Sequence, residues 1–260
     1  MARKESDKHE LMILSSSYDS WIAGRKPNPR ARMRLFCFPY AGGAASVFRD
    51  WPDGLPTDVE VCPVQLPGRG TRLMEPPFYQ LLLLVEALSE ALQPLLDRPF
   101  ALFGHSLGSL VSFELARQLR RSYQVCPSRL FVSAGHAPQI PKRGRAIHIL
   151  PQREFAEELR RLNGTPDELL DCHELMAIAL PSLRADFALY ESYGYLPEPP
   201  LDCPISSFGG LSDLSVTRND LEAWREQSSM SFSIRMFPGN HFFLKAIQPL
   251  LLRTISDELR

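Results

Sequence analysis

Short apolar runs alternate with amphipathic segments along the chain from Met33 onward. Leucine and alanine recur at helical spacing in LLLLVEALSEALQPLL, and LVSFELARQLRR has the pattern of an amphipathic helix. Six runs have the character of strands, and none shows strict alternation of apolar and polar residues; they are MRLFCFP, VEVCPVQLPG (Val59–Gly68), FALF (Phe100–Phe103), RLFVSAG (Arg129–Gly135), CPISSFGG (Cys203–Gly210) and SFSIRMFPG (Ser231–Gly239). This pattern predicts an α/β fold with a mostly parallel central sheet that helices cover on both faces.

One segment breaks this rhythm. Between the fourth and fifth predicted strands, from Ala137 to Asp202, the chain shows helical periodicity and no clear strand. A single crossover between parallel strands needs only about a dozen residues. We therefore predict a helical insertion over residues 139–195. It is either a lid over an active site, which we favour from its position, or a pair of extra helices packed on the side.

The bulk composition narrows the class of protein. A chain of 260 residues, 44% hydrophobic and 23% charged, suits a single globular domain over residues 31–260 behind an irregular leader, residues 1–30, which Trp21 would pin to the body. The 29 basic and 30 acidic residues nearly balance, so no nucleic-acid or membrane partner is expected. The five cysteines include no Cys-x-x-Cys pair, and no apolar block follows the charged N-terminus, so we expect a cytoplasmic protein without a metal site.

A serine lies between two glycines in GHSLG, Gly104–Gly108, after the third predicted strand and before a predicted helix. This is the context of a nucleophile elbow, a tight turn that exposes a serine hydroxyl at the carboxyl end of a parallel strand. The flanking glycines let strand and helix approach without a side-chain clash. Ser106 is therefore the candidate nucleophile.

A serine hydroxyl needs a base, and the base needs an orienting acid. His241 follows the last predicted strand in FPGNHFF, where the order nucleophile, acid, histidine expects it. His136 is a weaker candidate, and the side chain of His105 should point away from the hydroxyl. Asp213 follows the fifth strand and is the preferred acid, whereas its competitor Asp220 resembles the N-cap of a helix.

Two backbone N–H groups should stabilise the oxyanion that forms during acyl transfer. One belongs to Leu107, the residue after the nucleophile. The other is expected from FPYAGGAAS, where small residues leave the backbone bare, and we choose the N–H of Ala41, with Gly42 as the alternative.

The motifs resemble those of the α/β-hydrolase superfamily, and closely those of the type II thioesterases that accompany polyketide and nonribosomal peptide synthetases. The resemblance runs from about Met33 to the C-terminus and is carried by RLFCFPYAGGAASVFRDW, VQLPGRGTRLMEPPF, RPFALFGHSLGSLVSFELAR, LFVSAGHAP, LPSLRADFALYESY, CPISSFGGLSD and FPGNHFF. It implies an α/β-hydrolase fold, a triad of Ser106, Asp213 and His241, and a lid from Gln139 to Tyr195. No cofactor is implied.

The resemblance also implies a substrate and a partner. The substrate is an acyl thioester on the phosphopantetheine arm of a carrier protein, and the enzyme would remove stalled or wrong acyl groups. The sequence leaves the oligomeric state open, and we take a monomer as the default expectation. Arg69 and Arg72 in LPGRGTRL, and Arg143 in PKRGR, are candidate contacts to the arm or the carrier. Structural salt bridges or plain solvated surface explain these arginines at least as well. Two rival functions stay open: a medium-chain acyl-carrier thioesterase of fatty acid synthesis, and a catalytically silent fold that only binds a carrier.

Overall fold

The N-terminal segment joins the body of the protein through an aromatic anchor. The computed structural model describes residues 20–260, so most of the predicted leader lies outside the described residues. Within them, Trp21 is 8% exposed and belongs to the hydrophobic core, and Ile22 forms an antiparallel bridge with Val64. The guanidinium of Arg72 lies 3.8 Å from the centre of the Trp21 ring. Trp21 therefore pins the described end of this segment, as predicted.

Within residues 20–260, one sheet of six strands forms the centre, in the order β2-β1-β3-β4-β5-β6. All five pairings between neighbouring strands are parallel. The strands are β1 Met33–Phe38, β2 Val59–Pro63, β3 Phe100–His105, β4 Arg129–Ser133, β5 Ile205–Gly210 and β6 Phe232–Phe237. The prediction of a mostly parallel sheet is confirmed.

The second strand is shorter than the apolar run predicted. It ends at Pro63, and the prediction of a strand as far as Gly68 is wrong. Beyond Pro63 the chain forms only the isolated bridge at Val64, and the φ of +81° at Gly68 turns it away from the sheet. Apolar content alone did not separate the strand from the buried loop that follows it.

Helices cover both faces of the sheet. They are α1 Leu81–Leu92, α2 Leu107–Tyr123, α3 Gln152–Leu162, α4 Asp167–Asp171, α5 His173–Glu191, α6 Arg218–Glu222, α7 Phe243–Ala246 and α8 Gln248–Glu258. All six residues of β1 are buried, and alternate ones enter two different cores. Phe36 packs in the core shared with α1 and α2, and Leu35 packs in the core shared with α8. Burial on both faces explains why the strands read as continuous apolar runs.

The predicted insertion contains three helices, α3, α4 and α5, between β4 and β5. These helices have a small hydrophobic core of their own, in which Phe155, Leu159, Met176 and Leu183 are buried. The last helix, α5, is the longest of the three and continues through Pro181. The insertion is thus a packed unit of its own beside the carboxyl ends of the strands.

Parallel pairing fixes where the candidate residues meet. Ala41 follows β1, Ser106 follows β3, Asp213 follows β5 and His241 follows β6. The carboxyl ends of parallel strands lie at one edge of the sheet, which is where open α/β sheets bind ligands. Residues 200 positions apart in sequence are therefore brought to one site by topology alone.

Candidate active site

Ser106 occupies a strained turn between β3 and α2. Its φ of 54° and ψ of −116° lie where an L-residue is disfavoured. The flanking glycines permit the turn: a Cβ on Gly104 would lie 2.0 Å from the Gly108 carbonyl oxygen, and one on Gly108 would lie 2.2 Å from the Phe38 carbonyl oxygen. The predicted reason for both glycines is confirmed.

Hydrogen bonds from the neighbouring strand hold this turn in place. The Ser106 N–H donates to the Ser133 carbonyl at 2.7 Å, and the Ser109 hydroxyl lies 2.9 Å from the Gly104 carbonyl and 3.0 Å from that of Ser133. Strained backbone persists only where its surroundings over-determine it. Here strand β4 and the first turn of α2 supply that restraint.

The candidate acid and the candidate base form one hydrogen-bonded pair. His241 Nδ1 lies 2.8 Å from Asp213 Oδ2, and the Asp213 side chain is fully buried. The other carboxylate oxygen accepts from the N–H groups of Ser215 at 2.8 Å and Val216 at 3.1 Å. Burial would raise the pKa of Asp213, but His241 and these two N–H groups together hold that pKa below its usual value. Asp213 is therefore an oriented carboxylate with one oxygen facing the imidazole.

A close backbone approach brings the two loops together. A Cβ on Gly210 would lie 2.5 Å from the Asn240 carbonyl oxygen, and the Ser212 N–H donates to the Gly239 carbonyl at 2.9 Å. Gly209 and Gly210 are the last two residues of β5, so the loop that carries Asp213 begins after them.

His105 contacts the backbone of His241, the candidate base, and its side chain is hydrogen-bonded away from Ser106. It is completely buried, and its Nε2 lies 2.9 Å from the His241 carbonyl oxygen while its Nδ1 lies 2.9 Å from Ser133 Oγ. A carbonyl only accepts, so Nε2 carries the proton and Nδ1 accepts from the serine. Burial lowers the pKa of His105 to about 3, so the ring is neutral at physiological pH. Sequence reasoning placed His105 away from the hydroxyl and missed that it fixes the backbone of His241.

The candidate oxyanion loop is a tight turn from Tyr40 to Gly43. The Gly43 N–H donates to the Tyr40 carbonyl at 2.8 Å, and Gly42 has a φ of +77°. A positive φ confined to the third residue defines a type II turn, with Ala41 as its second residue. The Gly42 N–H already donates to Asp186 Oδ2 at 2.7 Å. The sequence left Ala41 and Gly42 as alternative oxyanion donors. Because the Gly42 N–H already has an acceptor, Ala41 is the favoured donor.

A cavity of about 180 Å³ lies beside these groups. Ser106, His241, Ala41 and Leu107 line it, so the structure brings together the predicted nucleophile, base and both backbone donors. Much of its remaining wall is apolar or aromatic, and the insertion contributes Leu159, Leu162, Phe187 and Tyr190 to it. The cavity is smaller than the roughly 300–1,000 Å³ of pockets that take drug-sized ligands.

Asp220 helps to cap the N-terminus of α6, but it is not the N-cap residue that the sequence predicted. The N-cap of α6 is Thr217, and Asp220 is the third helical residue, whose carboxylate closes a capping box by accepting from the Thr217 N–H at 2.9 Å. Asp220 also pairs with Arg143 at 2.9 Å and lies 3.9 Å from Nε2 of His136. Its carboxylate is thus engaged at the start of a helix and does not touch His241.

The three candidate carrier arginines fall into two groups. The side chains of Arg69 and Arg72 are 8% and 7% exposed, and they form ion pairs with Asp186 and Glu75. The structure favours the alternative role of a salt bridge for both, since neither guanidinium is available to a docked protein. Arg143 has a 62% exposed side chain at the start of the insertion, despite its pairing with Asp220.

Two residues that sequence reasoning gave no role also face the cavity. Asp186 and Tyr190 both lie on α5, one helical turn apart, and the hydroxyl of Tyr190 lies 3.1 Å from His136 Nδ1. The sequence did offer a signal for Asp186: it is the one carboxylate in LPSLRADFALY and falls among the apolar positions that are buried on α5. Its partner Arg69 lies 117 residues away in sequence, so the pair itself was out of reach.

Comparison with known proteins decides the family. The family model of the thioesterase domain matches residues 33–259, which is nearly all of the described chain. The chain belongs to the thioesterase family. The gramicidin S biosynthesis protein GrsT of Aneurinibacillus migulanus is 47% identical over 249 residues, covering 96% of this chain and 97% of that protein.

Solved structures agree with this assignment. The thioesterase RedJ from the prodiginine pathway of Streptomyces coelicolor is 43% identical with a TM-score of 0.82, covering 88% of this chain and 91% of that one. The type II thioesterase BorB of the borrelidin cluster is 37% identical with a TM-score of 0.85, covering 93% and 98%. The α/β-hydrolase fold and the resemblance to type II thioesterases are thus confirmed. Within residues 20–260, no helix of this thioesterase is long and apolar enough to cross a bilayer.

Proposed function

We propose that this thioesterase hydrolyses acyl groups held on the phosphopantetheine arm of carrier proteins, and that it clears stalled or wrong acyl groups from a polyketide or nonribosomal peptide synthase. The observation that carries the proposal is the cavity lined by both Ser106 and His241, with His241 bonded to the buried Asp213. The named roles of GrsT, RedJ and BorB in such pathways support the substrate class. Location in the cytoplasm stays a prediction.

In the first half of the reaction, Ser106 Oγ attacks the thioester carbonyl and His241 Nε2 takes the hydroxyl proton. The carbonyl oxygen gains the negative charge and accepts hydrogen bonds from the N–H groups of Ala41 and Leu107. The tetrahedral intermediate collapses, the C–S bond breaks, and the sulfur leaves as a thiol with the proton from His241. The acyl group is then an ester on Ser106.

In the second half, water attacks the ester carbonyl while His241 takes one of its protons. The new intermediate uses the same two N–H groups, and its collapse returns that proton to Ser106 Oγ and releases a carboxylic acid. Asp213 stays ionised throughout; it holds the imidazole with Nδ1 protonated and stabilises the imidazolium. The helices α3 and α5 form the lid that keeps bulk water from the acyl group.

Similarity favours the editing role over the rival function in fatty acid synthesis. The chain is 47% identical to GrsT but 33% identical to the medium-chain fatty acid synthase thioesterase of Rattus norvegicus. The rings of Phe187 and Tyr190 from the lid line the cavity together with Ser106 and His241, so an acyl group on Ser106 would lie against them.

A panel of acyl groups on one carrier protein tests this proposal. Acetyl, propionyl, hexanoyl and decanoyl groups would be compared on the carrier and on a pantetheine thiol, with the Ser106→Ala protein as the blank. We expect kcat/KM to be highest for the short groups and higher on the carrier than on the thiol. A sharp preference for decanoyl would instead support chain termination, and indifference to the carrier would support a general esterase.

Arg143 is the exposed candidate for the carrier contact, so Arg143→Gln should raise KM for acyl-carrier substrates several-fold and leave KM for the acyl-pantetheine thiol unchanged. The reason is charge: carrier surfaces that surround the arm are acidic in this proposal, and the guanidinium is 62% exposed. Arg153→Gln is the matched control, because Arg153 is a 91% exposed arginine on the same insertion. Equal effects of Arg143→Gln on both substrates, or equal effects of the two variants, would contradict the contact.

A further inference from the structure

A buried ion pair ties the insertion to the candidate oxyanion turn. Asp186, on α5, is 1% exposed, and both of its carboxylate oxygens bind the guanidinium of Arg69, which lies in the loop after β2. Asp186 Oδ2 also accepts the Gly42 N–H at 2.7 Å. Arg69 Nη1 in turn lies 3.4 Å from the Gly43 carbonyl oxygen. Three segments distant in sequence therefore meet at two charged side chains.

The bond to Gly42 acts on the peptide group that follows the proposed donor. In a type II turn, the peptide group between the second and third residues is flipped relative to a type I turn. The Gly42 N–H belongs to that central peptide group, and the Ala41 N–H belongs to the peptide group before it. By accepting from Gly42, Asp186 favours the flipped orientation and anchors the turn immediately beyond the Ala41 donor.

Packing on the same helix reinforces this contact. A Cβ built on Gly42 would lie 2.7 Å from Leu183 Cδ2, so the side chain of Leu183 rests directly against the turn. Leu183 and Asp186 are three residues apart and lie on one face of α5. A displacement of α5 would withdraw both contacts together, and the turn would lose its acceptor and its packing at the same time.

We propose that Asp186 is a positioning residue that couples the insertion helix α5 to the oxyanion turn, so that the Ala41 donor is aligned only while α5 is seated on the sheet. The inference rests on the proposed function for its substrate. It concerns the same site but adds a role for a residue that does not touch the reacting atoms. Arg69 holds Asp186 in place, which gives the buried arginine of LPGRGTRL a function in the site.

The first variant, Ala41→Pro, measures the contribution of the Ala41 N–H. Ala41→Pro removes the proposed donor N–H, and proline is favoured at the second position of a type II turn, so the turn itself should survive. Loss of one oxyanion donor typically lowers kcat by about a hundredfold to a thousandfold. We expect that loss with little change in KM or melting temperature.

The pair is removed by the double variant Arg69→Met with Asp186→Leu, which leaves no unpaired buried charge. The turn then lacks its acceptor, and we expect kcat to fall about tenfold to a hundredfold with KM nearly unchanged, since misplaced catalytic groups act on the transition state. Asp186→Asn separates the two roles of the residue. With its amide oxygen at the Oδ2 position it still accepts from Gly42, so kcat should largely survive while the melting temperature drops.

Combining the variants gives the decisive readout. If Asp186 acts through Ala41, the double variant should cost almost nothing further in the Ala41→Pro protein. The proposal would be overturned if the kcat losses of Ala41→Pro and of the double variant multiplied when combined. It would also be overturned if the double variant raised KM and left kcat unchanged. Glu60→Gln is the matched control, because Glu60 on β2 is a buried carboxylate that Arg25 and Arg34 hold, and it does not line the cavity. The Glu60→Gln variant should lower the melting temperature and leave kcat intact. If kcat instead falls in proportion to the melting temperature in all variants, the role of Asp186 is only structural.

A second readout separates this proposal from the proposed function. The rate at which a fluorophosphonate labels Ser106 depends on the oxyanion donors but not on any acyl substrate. If the wild-type protein hydrolyses no thioester, the proposed function fails, while slower labelling of the double variant would still support the coupling. Unchanged labelling with intact thioester hydrolysis in the wild type would overturn the coupling alone.

Discussion

Ser106→Ala is expected to lower kcat on a carrier-bound acyl thioester by about a millionfold and to abolish labelling by fluorophosphonates. In the proposed mechanism the hydroxyl forms the acyl-enzyme, and without it only binding and the oxyanion donors remain, which leave a residual rate above that of water. Alanine is the informative replacement because it keeps the Cβ that contributes to the strain at φ 54°. Its melting temperature should therefore match that of the wild type.

Steady-state hydrolysis and mass spectrometry of the labelled protein measure both effects. Ser112→Ala is the matched control, because Ser112 is a buried serine on α2, the helix that follows Ser106, and its hydroxyl donates to the Ser109 carbonyl at 3.0 Å. That variant should keep its label and most of its kcat. A label that persists in the Ser106→Ala protein would place the nucleophile elsewhere, and the mechanism proposed here would be wrong.

The parts of this site that could be predicted from sequence are those that local pattern and strand order determine. Ser106 could be chosen as the candidate nucleophile because a strand, two glycines and a helix surround it. His241 and Asp213 could be chosen as its candidate partners because parallel strands bring their carboxyl ends to one edge of the sheet. The α/β class followed from apolar runs buried on both faces, since β1 is buried at every position.

The parts that sequence reasoning missed depend on contacts between distant segments. Arg69 could be seen as either a surface contact or a salt bridge, and only the fold places Asp186 within reach of it. The same holds for the bond from His105 Nε2 to the His241 carbonyl, which joins residues 136 positions apart. The N-cap at Thr217 was missed for a different reason: a capping box has two polar members, and Asp220 was taken for the first when it is the second.

These distant contacts share a purpose in the proposed mechanism. His105 holds the backbone of the base, the Ser215 and Val216 N–H groups hold the acid, and Asp186 holds the oxyanion turn. Catalysis by such a site depends on groups that are already in place when the charge develops, so that little reorganisation accompanies the reaction. His105 is buried and neutral, Asp186 is buried and ion-paired, and the proposed nucleophile and base line the cavity.

The role of Asp213 gives the sharpest test of this arrangement. Asp213→Asn should lower kcat by about ten-thousandfold while leaving KM nearly unchanged, a loss of the size expected when a triad histidine is held in the wrong tautomer. In the native protein, Oδ1 accepts from the N–H groups of Ser215 and Val216, and Oδ2 faces His241 Nδ1 at 2.8 Å. The asparagine oxygen will keep the two N–H donors, so its NH2 group must face Nδ1.

An NH2 group only donates, so His241 would have to accept at Nδ1 and carry its proton on Nε2. That tautomer cannot take the proton of Ser106, although size and packing at the site are unchanged. Asp220→Asn is the matched control, because Asp220 is also a buried aspartate after β5 and was its competitor as the acid. It should cost stability through the capping box and the pair with Arg143 but leave kcat within a few-fold. If Asp220→Asn proved the more damaging to kcat, the acid would be Asp220, and the loop from Gly210 to Val216 would serve the fold alone.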